Sequence, residues 1–206
     1  MQAIDAIFYI AILIMSIVIH EISHGFVAEY FGDKTARHAG RLTLNPIKHL
    51  DIFGSILLPA FLVLSNAGFL FGWAKPVPYN PDNLRNRKWG EFWVAASGVI
   101  SNFFIAIIFS IIIRLSLSII DSTPFYFIAS TIVIVNLALG LFNLIPVPPL
   151  DGSKILFSLL PYSYRNVINF LEQYSLVILL VFVIFFSSLL YPVISFLFTL
   201  LTSLPI

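Results

Sequence analysis

Residues 6–31 read AIFYIAILIMSIVIHEISHGFVAEYF, an apolar run long enough to cross a membrane as one helix. The hydrocarbon core of a bilayer is about 30 Å thick, which a helix crosses in roughly 20 residues. Three ionisable side chains, His20, Glu21 and His24, stand close together in this run. One such group at the centre of a membrane helix costs about 2.5–3.5 kcal/mol on insertion scales, so the cluster needs a functional reason.

The composition of the whole chain is that of a membrane protein. Of its 206 residues, 59% are hydrophobic and only 10% are charged, and the mean hydropathy is +0.99. Soluble domains average about 25% charged residues, so this chain has too little polar surface to stay dissolved in water. Its length predicts a single membrane domain, residues 1–206. The net charge of +1 gives no reason to expect a nucleic-acid partner, and the lack of cysteine excludes disulfides and cysteine-ligated metal.

The hydrophobic runs predict an all-α polytopic membrane protein, a helical bundle of about 4–6 spans. Besides residues 6–31, spans are expected at 92–113 and 122–150, and the chain is charge-free from residue 173 onwards. We expect a functional core over about residues 6–160. Hydrophobic C-terminal helices are expected over about 173–206, as one span or as two, and the side on which they end stays open.

Two loops rich in lysine and arginine, residues 34–48 and 75–88, flank a charge-free run over residues 52–74. Basic loops stay in the cytoplasm, and both can do so only if the run between them enters the membrane and returns on the same side. Proline, asparagine and glycine inside the run also disfavour one regular helix, and irregular backbone is tolerated at membrane depth where protein buries it. We therefore predict a re-entrant segment between the first and second full spans. The alternative is an ordinary span, for which the run is long enough.

Residues 20–24 form an H-E-x-x-H motif on the predicted first helix. Four residues advance a helix by slightly more than one turn, so His20 and His24 project from one face. Their imidazoles can bind one metal ion, and Glu21 lies close enough to activate a water molecule bound to it. Zinc suits such ligands and lowers the pKa of its bound water towards about 7. The alternative is a pair of core histidines that bond to neighbouring groups.

A third ligand is expected from elsewhere in the chain, because two histidines are too few for a zinc site. The stretch NLIPVPPLDG, residues 143–152, supplies Asp151 after three prolines that end the preceding helix. Under the re-entrant topology, Asp151 lies in the same half of the bilayer as His20 and His24. Its alternative role is that of a helix cap ahead of Gly152.

Together these stretches resemble the site-2 protease family of intramembrane zinc metalloproteases, in its short bacterial type without PDZ or CBS domains. The resemblance covers roughly residues 15–160 and extends to the stretches NPIKHLD, GWAKPVP and SGVISN. In the last of these, Val99 stands where the family usually has proline.

The resemblance implies one zinc ion per chain, with His20, His24 and Asp151 as its ligands. It also implies that Glu21 is the catalytic general base and that Asn143 contacts the substrate strand or its developing oxyanion. For Asn143, a hydrogen bond in helix packing is the alternative.

The activity that the resemblance implies is regulated intramembrane proteolysis, the cleavage of transmembrane protein substrates within or at the edge of the bilayer. The expected location is the plasma membrane of a bacterium or archaeon, with the active site towards the cytoplasm. Two other classes are a metal-binding transporter, which usually has inverted repeats that are not seen here, and a catalytically inactive zinc-stabilised scaffold, against which Glu21 argues. The substrate, any prior cleavage or gating partner, and the oligomeric state stay open.

Overall fold

The computed structural model describes residues 3–57, 61, 64–65, 74–117 and 122–205. Within these residues every regular element is a helix, which confirms the predicted all-α class for this part of the chain. The longer helices are α1 Ala3–Tyr30, α2 Arg87–Ser116, α3 Thr123–Leu144, α4 Asp151–Leu159, α5 Arg165–Gln173, α6 Ser175–Phe186 and α7 Leu190–Thr202. Short helical turns lie at Thr35–His38, Pro46–His49, Pro81–Asn83, Tyr162–Tyr164 and Ser187–Leu189, and a π-helix lies at Ile52–Leu57.

Three of these helices are long and apolar enough to cross a bilayer, over Ile7–Tyr30, Arg87–Ser116 and Thr123–Leu144. A bent pair, Tyr162–Gln173 and Ser175–Phe186 at 70° to each other, adds a fourth if the pair forms one span. The 13 residues of α7 extend about 20 Å at 1.5 Å per residue, which is too short to cross alone. The described residues therefore contain three or four candidate spans of a multi-pass membrane protein, at or just below the low end of the predicted 4–6.

The third span ends earlier than predicted, at Leu144 instead of residue 150. Pro146 is the reason, because the residue before a proline is disfavoured in the helical region. Ile145 accordingly has an extended backbone, with φ −65° and ψ 132°. The chain then turns, and α4 begins at Asp151.

Helix α2 occupies the centre of the bundle and packs against α1, α3, α4 and α7. Between membrane helices the hydrophobic effect supplies little attraction, so association depends on small residues that allow close van der Waals packing. The buried face of α2 has many such residues: Gly90, Ala95, Ala96, Ser97, Gly98, Ala106 and Ser110. Further along, an apolar cluster that includes Ile113, Val133 and Phe198 joins α2 to α3 and α7.

The loops that follow α1 and precede α2 meet at one end of the bundle. The Arg85 N–H donates to the Phe31 carbonyl at 2.8 Å. Buried Asp33 accepts hydrogen bonds from Asn80 N at 2.7 Å and from Asn83 Nδ2 at 2.8 Å. Burial alone would raise the pKa of Asp33, but these hydrogen bonds outweigh it and hold that pKa below its usual value. The carboxylate therefore ties the two basic loops together in its charged form.

The two ends of the run over residues 52–74 lie side by side at this same end of the bundle. The Lys75 N–H donates to the His49 carbonyl at 2.8 Å, and the buried Arg41 donates from Nη2 to the Lys75 carbonyl at 2.7 Å. Of the run itself the structure describes residues 52–57, 61, 64–65 and 74. Most of the predicted re-entrant segment thus lies outside the described residues.

The end of α7 lies at the opposite end of the bundle from the basic loops. Arg114 Nη2, near the end of α2, donates to the Leu200 carbonyl at 2.6 Å. Since α2 begins beside the basic loops, its end and Leu200 mark the far end. The last helix therefore ends on the side of the bundle opposite the basic loops, a side that the sequence leaves open.

Candidate metal centre

His20 and His24 face the interior of the bundle from one side of α1. Their Nε2 atoms lie 3.1 Å apart, and both side chains are buried. The spacing of four residues has the effect that the sequence predicts, because it brings both imidazoles to one point on one face.

Asp151 reaches the same point from α4. Its Oδ2 atom lies 3.0 Å from His20 Nε2 and 3.3 Å from His24 Nε2. Residues 145–150 place it there by turning the chain, and Gly152 lies against their backbone so tightly that a Cβ would stand 2.5 Å from the Ile145 carbonyl oxygen. In the alternative role Asp151 would cap α4, but the N-cap residue is Leu150, which makes no side-chain cap bond.

The second ring nitrogen of each histidine faces an oxygen atom of α2. His24 Nδ1 lies 2.6 Å from the Val94 carbonyl oxygen, and His20 Nδ1 lies 2.6 Å from Asn102 Oδ1. A carbonyl oxygen only accepts hydrogen bonds, so each Nδ1 carries a proton, and in the neutral form of each ring the lone pair is on Nε2. In that form both lone pairs lie on the side of Asp151. Histidines that bind metals are held by outer partners of this kind.

The donor set fits zinc. Two nitrogen lone pairs and a carboxylate oxygen repel one another at these separations unless a cation lies between them. Asp151 Oδ2 is buried and has no partner with hydrogen-bond geometry, although both imidazoles are within contact distance. In a tetrahedral zinc site, bonds of about 2.0–2.2 Å place neighbouring ligand atoms about 3.3–3.5 Å apart, close to the 3.0–3.3 Å found here.

Glu21 lies beside this donor set. Its ligand atom and those of His20 and His24 all lie within 4.8 Å of one another. Its Oε2 accepts a hydrogen bond from the Val77 N–H at 2.8 Å. Glu21 is half-buried, whereas the two histidines are buried.

A cavity of about 150 Å³ opens beside the donor set and includes His20, Glu21, His24 and Asp151 in its wall. Asn143 also lines it. The Asn143 amide donates to the Leu139 carbonyl of its own helix at 3.0 Å, which leaves Oδ1 and one N–H for other partners.

Lys154 and Tyr79 stand at another part of the cavity wall, with Lys154 Nζ 5.8 Å from the centre of the Tyr79 ring. Burial raises the pKa of Tyr79, so its phenol stays protonated at neutral pH. The structure thus brings together all five residues singled out from the sequence, and it adds Lys154 and Tyr79, for which neither spacing nor motif gave a signal.

Gly98 of α2 packs directly against both imidazoles. A Cβ at this position would lie 2.5 Å from His24 Cε1 and 2.6 Å from His20 Cε1. No residue with a side chain fits there unless the two rings move. Gly98 lies in the SGVISN stretch, for which the sequence gave no indication of contact with His20 and His24.

The comparisons with known proteins indicate one family of peptidases. The sequence profile of Peptidase family M50 matches residues 117–186, which include Asn143 and Asp151. YwhC of Bacillus subtilis, named as a candidate zinc metalloprotease, is 41% identical over 175 residues, 82% of this chain and 76% of YwhC. The chain belongs to peptidase family M50. This result confirms the predicted site-2 protease family and the predicted enzyme class, a zinc metalloprotease.

Two further relatives are longer than this chain. Zinc metalloprotease MJ0392 of Methanocaldococcus jannaschii is 27% identical over 153 residues, 74% of this chain and 34% of that protein. Rip2 of Mycolicibacterium smegmatis, also named as a candidate zinc metalloprotease, is 41% identical over 64 residues, 31% of this chain and 25% of Rip2. No solved structure matches the chain with comparable significance.

The contact between Gly98 and the imidazoles predicts that Gly98→Ala weakens zinc binding about 10–100-fold, the usual loss when the support of metal ligands is disturbed. Zinc affinity in detergent, measured by competition with a chromogenic chelator, checks this. Gly140→Ala is the matched control, because its added Cβ would meet the Phe103 ring at 3.2 Å and no metal ligand. Wild-type zinc affinity in folded Gly98→Ala would contradict the geometry.

Proposed function

We propose that this M50 protease cleaves membrane-protein substrates within or at the edge of the bilayer, with one zinc ion held by His20, His24 and Asp151. The observation that carries the proposal is the convergence of two Nε2 lone pairs and the orphaned Asp151 Oδ2 among membrane helices. We take residues 1–206 as one metalloprotease domain with a catalytic core at about 6–160.

Glu21 acts as the general base in this proposal. When bound, zinc lowers the pKa of a water ligand towards about 7 and polarises the scissile carbonyl. Glu21 takes a proton from that water at a carboxylate oxygen and then passes it to the nitrogen of the leaving amine. The Val77 N–H at 2.8 Å orients the carboxylate through Oε2, which leaves Oε1 for the proton.

Asn143 contacts the substrate in this proposal. Its amide lines the cavity and has one N–H left after the bond to Leu139. A donor at this place can bind the substrate strand or stabilise the oxyanion that develops on the scissile carbonyl.

The substrate is a transmembrane segment that unwinds before cleavage, because a helix holds its carbonyls in hydrogen bonds. Residues 74–80, which lie outside any helix, supply Pro76, Val77 and Tyr79 to the cavity wall, and we propose that the edge of the 52–77 region pairs with the unwound segment. Pro76 has no N–H and the Val77 N–H bonds to Glu21, so pairing at these positions uses carbonyl groups.

The run over residues 52–74 is re-entrant in this proposal, and the basic loops with the active site face the cytoplasm. The bond between Lys75 N and His49 O supports this, because a regular helix of the run's 23 residues would separate its ends by about 34 Å. The orientation rests on the lysine and arginine content of the two loops.

The role of Glu21 predicts that Glu21→Gln lowers proteolysis about 10²–10⁴-fold, the usual contribution of a general base, and leaves zinc content unchanged. N-terminal proteomics of membranes from cells that express each protein reveals new termini within apolar segments. Glu29→Gln is the matched control, because Glu29 lies on the same helix but pairs with Arg37 at the surface. The same new termini from Glu21→Gln as from the wild type would refute this role.

The re-entrant topology can be tested in the same cells, because the chain has no cysteine of its own. Single cysteines at the exposed positions Lys48, Lys75 and Ser203 are treated with a membrane-impermeant maleimide. We expect Lys48→Cys and Lys75→Cys to react only after permeabilisation, and Ser203→Cys to react in intact cells. Reaction of the first two from opposite sides would establish an ordinary span, and reaction of both in intact cells would reverse the orientation.

A further inference from the structure

A chain of buried polar side chains runs from α3 through α2 to the metal centre. Asn136 Nδ2 donates to the Ile132 carbonyl and to Ser16 Oγ, both at 2.9 Å. Asn102 Nδ2 donates to Asn136 Oδ1 at 2.9 Å, and Asn102 Oδ1 lies 2.6 Å from His20 Nδ1. Asn102 and Asn136 are fully buried, and Ser16 is 4% exposed.

The hydrogen bonds in this row of side chains can run in only one direction from donor to acceptor. The Ile132 carbonyl can only accept, so Asn136 must present its NH₂ group there and its Oδ1 to α2. Asn102 must then present its NH₂ group to Asn136, because two oxygens at 2.9 Å would repel each other. Its Oδ1 is left for His20, and His20 must carry its proton on Nδ1. A backbone carbonyl of α3 thus determines which nitrogen of His20 is free.

The two histidines differ in how firmly their tautomers are held. His24 bonds to the Val94 carbonyl, a backbone group that cannot turn round. His20 bonds to a side-chain amide, which can present either oxygen or nitrogen after a rotation of 180°. Without Asn136, the Asn102 amide could turn and offer an N–H to Nδ1, which would favour the tautomer that has no lone pair on Nε2.

We propose that Asn102 and Asn136 form a relay of positioning residues that keeps the Nε2 lone pair of His20 directed at the metal. This inference rests on the proposed zinc site. In this relay Asn102 bonds to His20 directly, and Asn136 acts only by fixing the orientation of the Asn102 amide. Ordinary helix packing would join Asn102 to Asn136 but would not require the relay to end on a ring nitrogen of a metal ligand.

The first test is the zinc dissociation constant, measured by chelator competition on the full chain in detergent. Asn102→Leu removes the acceptor and should weaken zinc binding about 10–100-fold. Asn102→Asp should bind zinc more tightly than Asn102→Leu, because one carboxylate oxygen still accepts from Nδ1–H, as in carboxylate–histidine–zinc triads, although the other oxygen now meets Asn136 Oδ1. A packing role predicts the reverse order, since a buried carboxylate costs more than leucine. Aspartate as harmful as leucine would overturn the relay.

The second test is the coupling between the two asparagines. Asn136→Leu should weaken zinc binding by a smaller factor than Asn102→Leu, and the double variant should bind zinc as Asn102→Leu does. Independent packing roles would instead multiply the two losses, which would overturn the relay. If Asn102→Leu does not fold, Asn102→Asp and Asn136→Leu decide the question in the same way, by retained and weakened affinity respectively.

Ser110→Ala is the control for loss of a buried polar group from α2, because the Ser110 hydroxyl bonds to the Ala106 carbonyl at 2.7 Å and belongs to no relay. It should bind zinc as the wild type does. A wild type that binds no zinc would overturn the proposed function together with the relay. A wild type that binds zinc, with an equal affinity in folded Asn102→Leu, would overturn the relay alone.

Discussion

The main constraint on this fold is that two imidazole nitrogens and one carboxylate oxygen meet at one buried point. His20 Nε2, His24 Nε2 and Asp151 Oδ2 lie 3.0–3.3 Å from one another, and each histidine is held so that a lone pair faces inwards. Such an arrangement offers three donor atoms to a cation. Helices α1 and α4 bring these donors to one point, and α2 prevents the imidazoles from turning away.

The close packing of α1 on α2 follows from this constraint. Gly98 leaves room for both imidazoles, and the Val94 carbonyl oxygen and Asn102 Oδ1 accept hydrogen bonds from their Nδ1–H groups. A polar site among membrane helices therefore depends on a helix interface made of small and polar residues. The loops also support the site. Asp33 and Arg41 bond to the segment around Val77, and the Val77 N–H donates to Glu21.

The sequence predicts those parts of the site that depend on side-chain type and on helical spacing. His20, Glu21 and His24 follow from one turn of helix in an apolar run, and Asp151 follows from the need for a third ligand after a proline-broken helix.

The sequence cannot show contacts that are made by the backbone or that depend on the absence of a side chain. The Val94 carbonyl, the Val77 N–H and the space at Gly98 have no signature in a single sequence. The bound of residue 150 predicted for the third span follows the apolar run, which continues past Leu144 through the prolines that end the helix. The number of spans was harder to predict because the C-terminal apolar stretch is divided into short helices, one pair of them bent by 70°.

Zinc binding by His20, His24 and Asp151 is tested most directly by the zinc content of the purified protein, measured by atomic emission for the wild type and for Asp151→Ala. We expect about one zinc per chain in the wild type and a large loss in the variant, because a zinc site needs more than two protein ligands. Folded wild-type protein without tightly bound zinc would refute the metal site, and a full complement of zinc in Asp151→Ala would exclude Asp151 from the ligands.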